Sequence, residues 1–338
     1  AALYAKVADR TRYVGLEFGV RSFQPATPAE TLARGFGDCK DKATLLIALA
    51  KALGVDAQIV LTRTRAAGAV APQPASFALF DHAIVYVPAL DRFMDPTVDR
   101  NGPWTLPPSD QGAQVFVVGG APALRSVPPQ PAAFNRADWA VRGTVHGDGR
   151  LTGTLRLDLG GQPATQARRQ LEGAAEPAAV LARLVAERFP GAVVAAPTLG
   201  GLRPALDPVT AEAAITVPSL VAAPRGGRAI PLRGDLVARY AQQATRETPR
   251  QLPFKHTHTV RLDLALPAGW RARPRAPVDV ASRFGRVRVT LGEADGRLQV
   301  IRTVSLDTFE VAPADYPAFR AWLAQADQAL AAPVEVGP

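Results

Sequence analysis

Apolar and polar residues along this chain follow two periods, and the switches between them mark its elements. From Ala43 the apolar side chains fall at Ala43, Leu46, Ile47, Ala50 and Leu53, the i, i+3, i+4, i+7 spacing of one buried helical face. Asp38 is a good N-cap for that helix, Asp41 stands three residues on, and Gly54 supplies the stop. A period of two takes over at Ala57–Arg63 and again from His82 to Val87, where His82, Ile84 and Tyr86 share one face of a strand. Pro88 closes that strand, and a short partner over Arg92–Asp95 follows. A tight hairpin about residues 88–91 would pair position 95 within a residue or two of position 82. Upstream, residues 1–12 read as the end of a helix leading into a strand at Tyr13–Phe18, and Thr27 with Glu30 caps a short helix through Leu32.

Residues 119–135 hold four prolines and two glycines, a composition suited to an extended linker. Beyond it the pattern turns β-rich. Trp139–Val145 and Arg150–Leu159 alternate about a His146-Gly147-Asp148-Gly149 turn. One or two helices are expected over 163–189 with a break near 173–177, and strands at Ala211–Val217, His256–Leu266, Arg286–Leu291 and Leu298–Leu306. After Pro313 a closing helix carries Tyr316, Phe319, Trp322 and Leu323 on its apolar side. No internal repeat is visible. The domains expected are 1–120, a linker over 121–135, and a β-rich domain with helices over 136–338.

Composition narrows the class. At 338 residues, 47% hydrophobic and 20% charged, the chain suits two or three soluble globular domains. No apolar run reaches the roughly 18 residues of a membrane span. The net charge of +9 rests on arginine, since only five of the 39 basic residues are lysine. Those arginines are scattered and not interleaved with aromatics, so no nucleic-acid platform is read from them. The single cysteine excludes an intrachain disulfide and a thiolate zinc site, and no cofactor is expected. His256 and His258 share a strand face but lack a third ligand nearby, and read as surface histidines on an edge strand. His146 reads as a solvated turn residue. The chain begins Ala1-Ala2-Leu3 with Met94 as its only methionine, which points to a piece of a longer protein.

The candidate chemistry centres on Cys39. It falls at the first position of the helix, where free N–H groups and the positive end of the dipole favour a thiolate, with Lys40 and Lys42 alongside. Such a terminus can also donate to an oxyanion. The plain alternative is a small buried hydrophobe, for which Gly-Asp-Cys-Lys-Asp-Lys is poor company. A cysteine nucleophile needs a base and the base an orienter; His82 and Asp95 are placed for these roles by the hairpin. Cys39 is expected to be partly accessible, with His82 in or near hydrogen-bond reach. Gln24 and Asp38 are candidates for an oxyanion or substrate loop, and residues 64–79, just before the His82 strand, for a lid.

Taken together, the motifs resemble the transglutaminase-like superfamily of papain-type cysteine enzymes, and within it bacterial DUF3857-type proteins. The residues that carry this are Tyr13-Val14-Gly15-Leu16-Glu17, Gly37-Asp38-Cys39-Lys40-Asp41-Lys42-Ala43-Thr44-Leu45-Leu46, Asp81-His82-Ala83-Ile84-Val85, Met94-Asp95-Pro96-Thr97 and Leu106-Pro107-Pro108-Ser109-Asp110-Gln111-Gly112. The resemblance covers roughly the first 120 residues. It implies an α+β fold, a papain- or transglutaminase-like core followed by a β-rich, sandwich-like domain with additional helices. It further implies Cys39 as nucleophile, His82 as general base and acid, and Asp95 as orienter. The reaction implied is acyl transfer at an amide or peptide bond, by a peptidase, an amidase or a transglutaminase. The partner would be a peptide or protein substrate of the cell envelope, and the location periplasmic or otherwise exported. A rival reading is a binding or scaffold protein that keeps this fold without turnover.

Overall fold

Capping and turn chemistry start the helix around which the N-terminal half is built. In the computed structural model it runs Cys39–Ala52, with the Asp38 carboxylate accepting from the Asp41 N–H and the Asp41 carboxylate from the Asp38 N–H. All residues are described except 16, 17, 72, 73, 99, 122, 204, 207, 223–226 and 338. The chain divides into two units, residues 1–130 with 201–207, and residues 131–200 with 208–338.

In the first unit the Cys39 helix is buried on more than the one face its period suggests. Cys39, Lys40, Asp41, Lys42, Ala43, Leu45 and Leu46 are all buried, whereas Leu53 is exposed. The reason is that it packs on two sides. Ala43, Leu45 and Leu46 share a core with Tyr4 and Val7 of the helix Ala2–Arg10 and with Val85, Val87 and Met94 of a sheet. That sheet has five antiparallel strands in the order Arg92–Met94, His82–Val87, Gln58–Arg63, Gln114–Val117, Leu124–Ser126. A second core forms from Val60, Ile84, Tyr86, Phe93, Leu106, Val115, Val117 and Val127.

Two local expectations are corrected. Among the described residues of the strand expected over Tyr13–Phe18, Tyr13 pairs, together with Arg12 before it, in parallel with Phe36–Gly37. Leu16 and Glu17 of that stretch lie outside the described residues, and Gly19–Ser22 is a 3-10 turn. Gly19 turns the chain with a φ of 57°, and glycines weaken strands. The Pro-rich stretch also contains structure: Leu124–Ser126 forms the sheet's last strand, and Val127 is fully buried. The strand itself holds no proline; Pro128, Pro129 and Pro131 follow it. The strands before and after 119–135 belong to different sheets.

The second unit is β-rich. Eight strands join in the order Val193–Gly200, Val209–Val217, Leu151–Leu159, Arg136–Val145, His256–Ala265, Arg297–Leu306, Gly285–Ala294, Val278–Ser282. Only Arg136–Val145 and His256–Ala265 pair in parallel. The expected break divides the helices Gln162–Leu171 and Pro177–Arg188. The closing helix Tyr316–Ala331 buries Tyr316, Phe319, Trp322 and Leu323 against Val287, Val289, Val304 and Leu306. One placement is overturned: the strand of His256 and His258 is interior, hydrogen-bonded on both sides, and not an edge. Both histidines are half-buried there. No described helix is long and apolar enough to cross a membrane.

Candidate functional site

The site begins with how the turn before Cys39 is held. Gly37 is required for close approach, since a Cβ there would lie 2.7 Å from the Cβ of Asp41 and 3.1 Å from Cγ2 of Thr31. Asp41 also accepts from the Ala26 N–H at 2.6 Å and from Arg34 Nη2 at 2.5 Å. The capping carboxylate thus fixes both the loop before the short helix Pro28–Arg34 and that helix's last turn. The two lysines are committed internally. Lys40 pairs with Asp38, and Lys42, fully buried, donates to the Thr11 carbonyl at 2.7 Å. Both lysine head groups are thus bonded to other parts of the protein.

Cys39 sits at the first helical position as expected, but at 7% exposure it is buried and not partly accessible. Its side chain is a hydrogen-bond partner of the His82 ring. The hairpin from His82 to Met94 turns through Pro88–Leu90, with Asp91 in the left-handed region. Val85 pairs with Met94, so Asp95 stands opposite Ile84, one diagonal step from His82 on the same face. His82 Nε2 lies 3.2 Å from Asp95 Oδ2. The other Asp95 oxygen accepts from the Thr97 N–H at 2.8 Å and its hydroxyl at 2.7 Å. Tyr4 donates its hydroxyl to the backbone carbonyl of Asp95 at 2.8 Å, so the first helix buttresses the acid.

A second acid completes the cluster. Asp110 is fully buried, and its carboxylate, the His82 ring and Asp95 offer polar atoms that all lie within 4.8 Å of one another. Ser109 donates to Asp110 Oδ1 at 3.0 Å, while Oδ2 is buried and without a partner. Burial and the charge of Asp95 push the Asp110 carboxyl up to about 8. Burial works against charging His82, yet the hydrogen bonds to Asp95 and Cys39 and the charge of Asp95 outweigh it and raise the ring to about 11. Burial likewise opposes the ionised form of Asp95, and the bond to His82 and its charge overcome that and hold the carboxyl below its ordinary value. These shifts favour the charged ring, the ionised Asp95 and the protonated Asp110. His82, Asp95 and Asp110 are also the described residues grouped closely enough to hold a metal ion. Since His82 Nε2 and Asp95 Oδ2 are bonded to each other, a cation would first have to displace that bond.

The structure thus brings Cys39, His82 and Asp95 together. Asp38 stays beside Cys39, but its carboxylate is occupied by the Asp41 N–H and Lys40. Gln24 is exposed, in the turn after Gly19–Ser22, and its side chain hydrogen-bonds to no described residue. Of the candidate lid 64–79, Pro72 and Gln73 lie outside the described residues; Arg63 ties its two ends by donating to the carbonyls of Gly68 and Leu79 at 2.8 and 2.9 Å. Asp110 and Tyr4 are the site residues that sequence reasoning did not assign. Asp110 lies within the Leu106–Gly112 segment, and nothing local in Ser109-Asp110 marks the acid as buried.

Two comparisons give the same direction. Residues 1–90 match the transglutaminase-like superfamily, and residues 231–336 match DUF3858, a domain of unknown function with a solved structure. The second match is to DUF3858, not to the DUF3857 type named from the motifs. Among solved structures, a candidate protease from Parabacteroides distasonis superposes with a TM-score of 0.56 at 12% identity, over 99% of this chain and 50% of that one. This chain therefore spans about half the length of that protein, and at such identity the likeness is one of fold. No curated protein matches.

Proposed function

We propose, for a chain that carries a transglutaminase-like core, that the N-terminal unit catalyses cysteine-dependent acyl transfer at an amide or peptide bond. The observation that carries the reading is the shared His82 ring, bonded through Nε2 to Asp95 and also to the side chain of Cys39 at a helix N-terminus. The sulfur of Cys39 is the nucleophile and His82 the group that carries the proton. The Cys39 sulfur attacks the carbonyl carbon, and the first-turn N–H groups face the developing oxyanion. His82 gives its proton to the leaving amine as the C–N bond breaks, which leaves a thioester on Cys39. His82 then takes a proton from water or an amine as that group attacks, and the thiolate leaves. Water makes the enzyme a peptidase or amidase, and an amine makes it a transglutaminase. Asp95 orients the ring throughout and takes no proton. Asp110, as a neutral acid, keeps the buried cluster from carrying two adjacent negative charges.

The substrate belongs in the same proposal as a peptide or protein amide, with the periplasmic or otherwise exported setting implied by the motifs. Against catalysis stands the low exposure of Cys39, which suits a scaffold that retains the fold. Labelling of the full chain with an acyl-type cysteine probe, with Cys39→Ala as control, separates the two. Covalent adduct on Cys39 that turns over in the presence of water or a dansylated amine supports catalysis; no adduct at any pH between 6 and 9 removes it.

A further inference from the structure

A second group of titratable side chains lies in the C-terminal unit, where the proposed acyl transfer has no use for it. Register places its members. Trp139 pairs with Val260, and Val260 with Arg302, so these three form one row across three strands on a single face of the sheet. His258, two residues before Val260, lies on that face too. Arg188, the last residue of the helix Pro177–Arg188, sets its guanidinium over the Trp139 ring at 5.1 Å and its Nη2 3.1 Å from His258 Nε2. Arg302 donates one N–H to the Arg233 carbonyl, and its Nε is buried with no partner.

Neither guanidinium has a carboxylate partner among the described residues. Elsewhere in the same sheet a partly buried arginine is answered by an acid, as Arg297 is by Asp263. The acid near this row is Asp235, which is mostly exposed and bound to Arg239 at 3.0 Å. Burial lowers both Arg188 and Arg302 to about 10, and Arg188 also feels the charges of Arg302 and Arg239. Burial and the neighbouring Arg188 push His258 down to about 2, so it is a neutral wall at ordinary pH. Two half-buried cations with most of their donors unspent, Arg188 held by the Trp139 indole and the His258 imidazole and Arg302 tied through one N–H to the Arg233 carbonyl, are costly as they stand. Guanidinium forks match the paired oxygens of carboxylate and phosphate.

We propose that Arg188 and Arg302, flanked by Trp139 and His258, form a binding site for an oxyanion group, a phosphate or a carboxylate, on this face of the C-terminal sheet. The site is independent of Cys39. Titration calorimetry of the full chain at constant ionic strength tests it, with inorganic phosphate in one arm, malonate in a second and chloride as the reference. Saturable binding of phosphate or malonate beyond chloride is expected, and the stronger arm identifies the ligand's class. Arg302→Gln and Arg188→Gln should each weaken that binding roughly ten- to a hundredfold, the range of a charge-assisted hydrogen bond. Arg302→Lys, which keeps the charge and loses the fork, should fall between. Absence of saturable binding to the wild-type chain overturns the proposal without recourse to any variant. So does unchanged affinity in Arg302→Gln and Arg188→Gln chains that melt cooperatively.

Discussion

At the scale of single residues, Asp95 does two jobs with two oxygens, one on His82 and one on Thr97. Asparagine can still accept from Thr97 but cannot match the charge that holds the imidazolium. Asp95→Asn should therefore fold with little change in melting temperature and lose roughly 10²–10³ in turnover, less than the about 10⁴ of the serine-protease template because the first-turn N–H groups of the helix still assist the sulfur without the base. Steady-state turnover and melting on the one variant decide it, and wild-type turnover would remove Asp95 from the mechanism. Asp110 makes a prediction of a different kind. Its folded carboxyl, near 8, lies above its ordinary value of 3.8, so between those limits the folded chain holds a proton that the unfolded chain releases. Its contribution to stability is complete below the lower value and declines as pH rises to the upper one. Asp110→Asn lacks that slope. Its denaturation midpoint, relative to wild type, should rise from pH 4 to pH 8 and then level; a constant difference across that range would mean that Asp110 is ionised throughout.

Elements carry the next lesson. Gly37→Ala places a methyl group 2.7 Å from the Asp41 Cβ, in backbone that the reciprocal cap already fixes. Overpacking of this kind costs about 1–3 kcal/mol, and since Asp41 also binds Ala26 and Arg34, the lost stability should come with a displaced Cys39 and slower alkylation. Chemical denaturation and iodoacetamide kinetics read the two effects. The Cys39 helix was legible from its reciprocal cap, the His82 hairpin from its period of two and the turn after Pro88, and the closing helix from its apolar period. What was not legible depends on contacts distant in sequence. Nothing local to Lys42 says that its ammonium reaches the Thr11 carbonyl, nor does Ser109-Asp110 announce a buried acid. The strand of His256 and His258 alternates like a half-exposed one. Only its pairing on both sides, one of them the parallel contact with Arg136–Val145, makes it interior.

For the molecule as a whole, the consequential difference is where the first unit ends. Composition alone puts the break after residue 120, yet the ten residues that follow hold the Asp110 loop. The N–H of Gly112 donates to the Val127 carbonyl at 2.9 Å, and the Val127 N–H to the Ala113 carbonyl at 2.9 Å. Gln130 donates its N–H to Gln111 Oε1 at 3.1 Å, and Gln111 in turn donates to the Leu106 carbonyl at 3.0 Å. Asp110 stands in the middle of this ladder, so a cut at 120 removes both an edge strand and the clamp on the second acid. A fragment of residues 1–130 also loses 201–207 and, with them, the exposed ion pair of Arg203 with Asp9, worth about 0–1 kcal/mol by itself. Expressed side by side, 1–130 should melt cooperatively and label at Cys39 as the full chain does. The 1–120 fragment should melt several degrees lower and lose the pH dependence of stability that Asp110 confers, because the loop no longer holds that carboxyl in the dry cluster. Equal melting curves for the two fragments would mean that the Leu124–Val127 edge contributes nothing and that the unit closes at residue 120 after all.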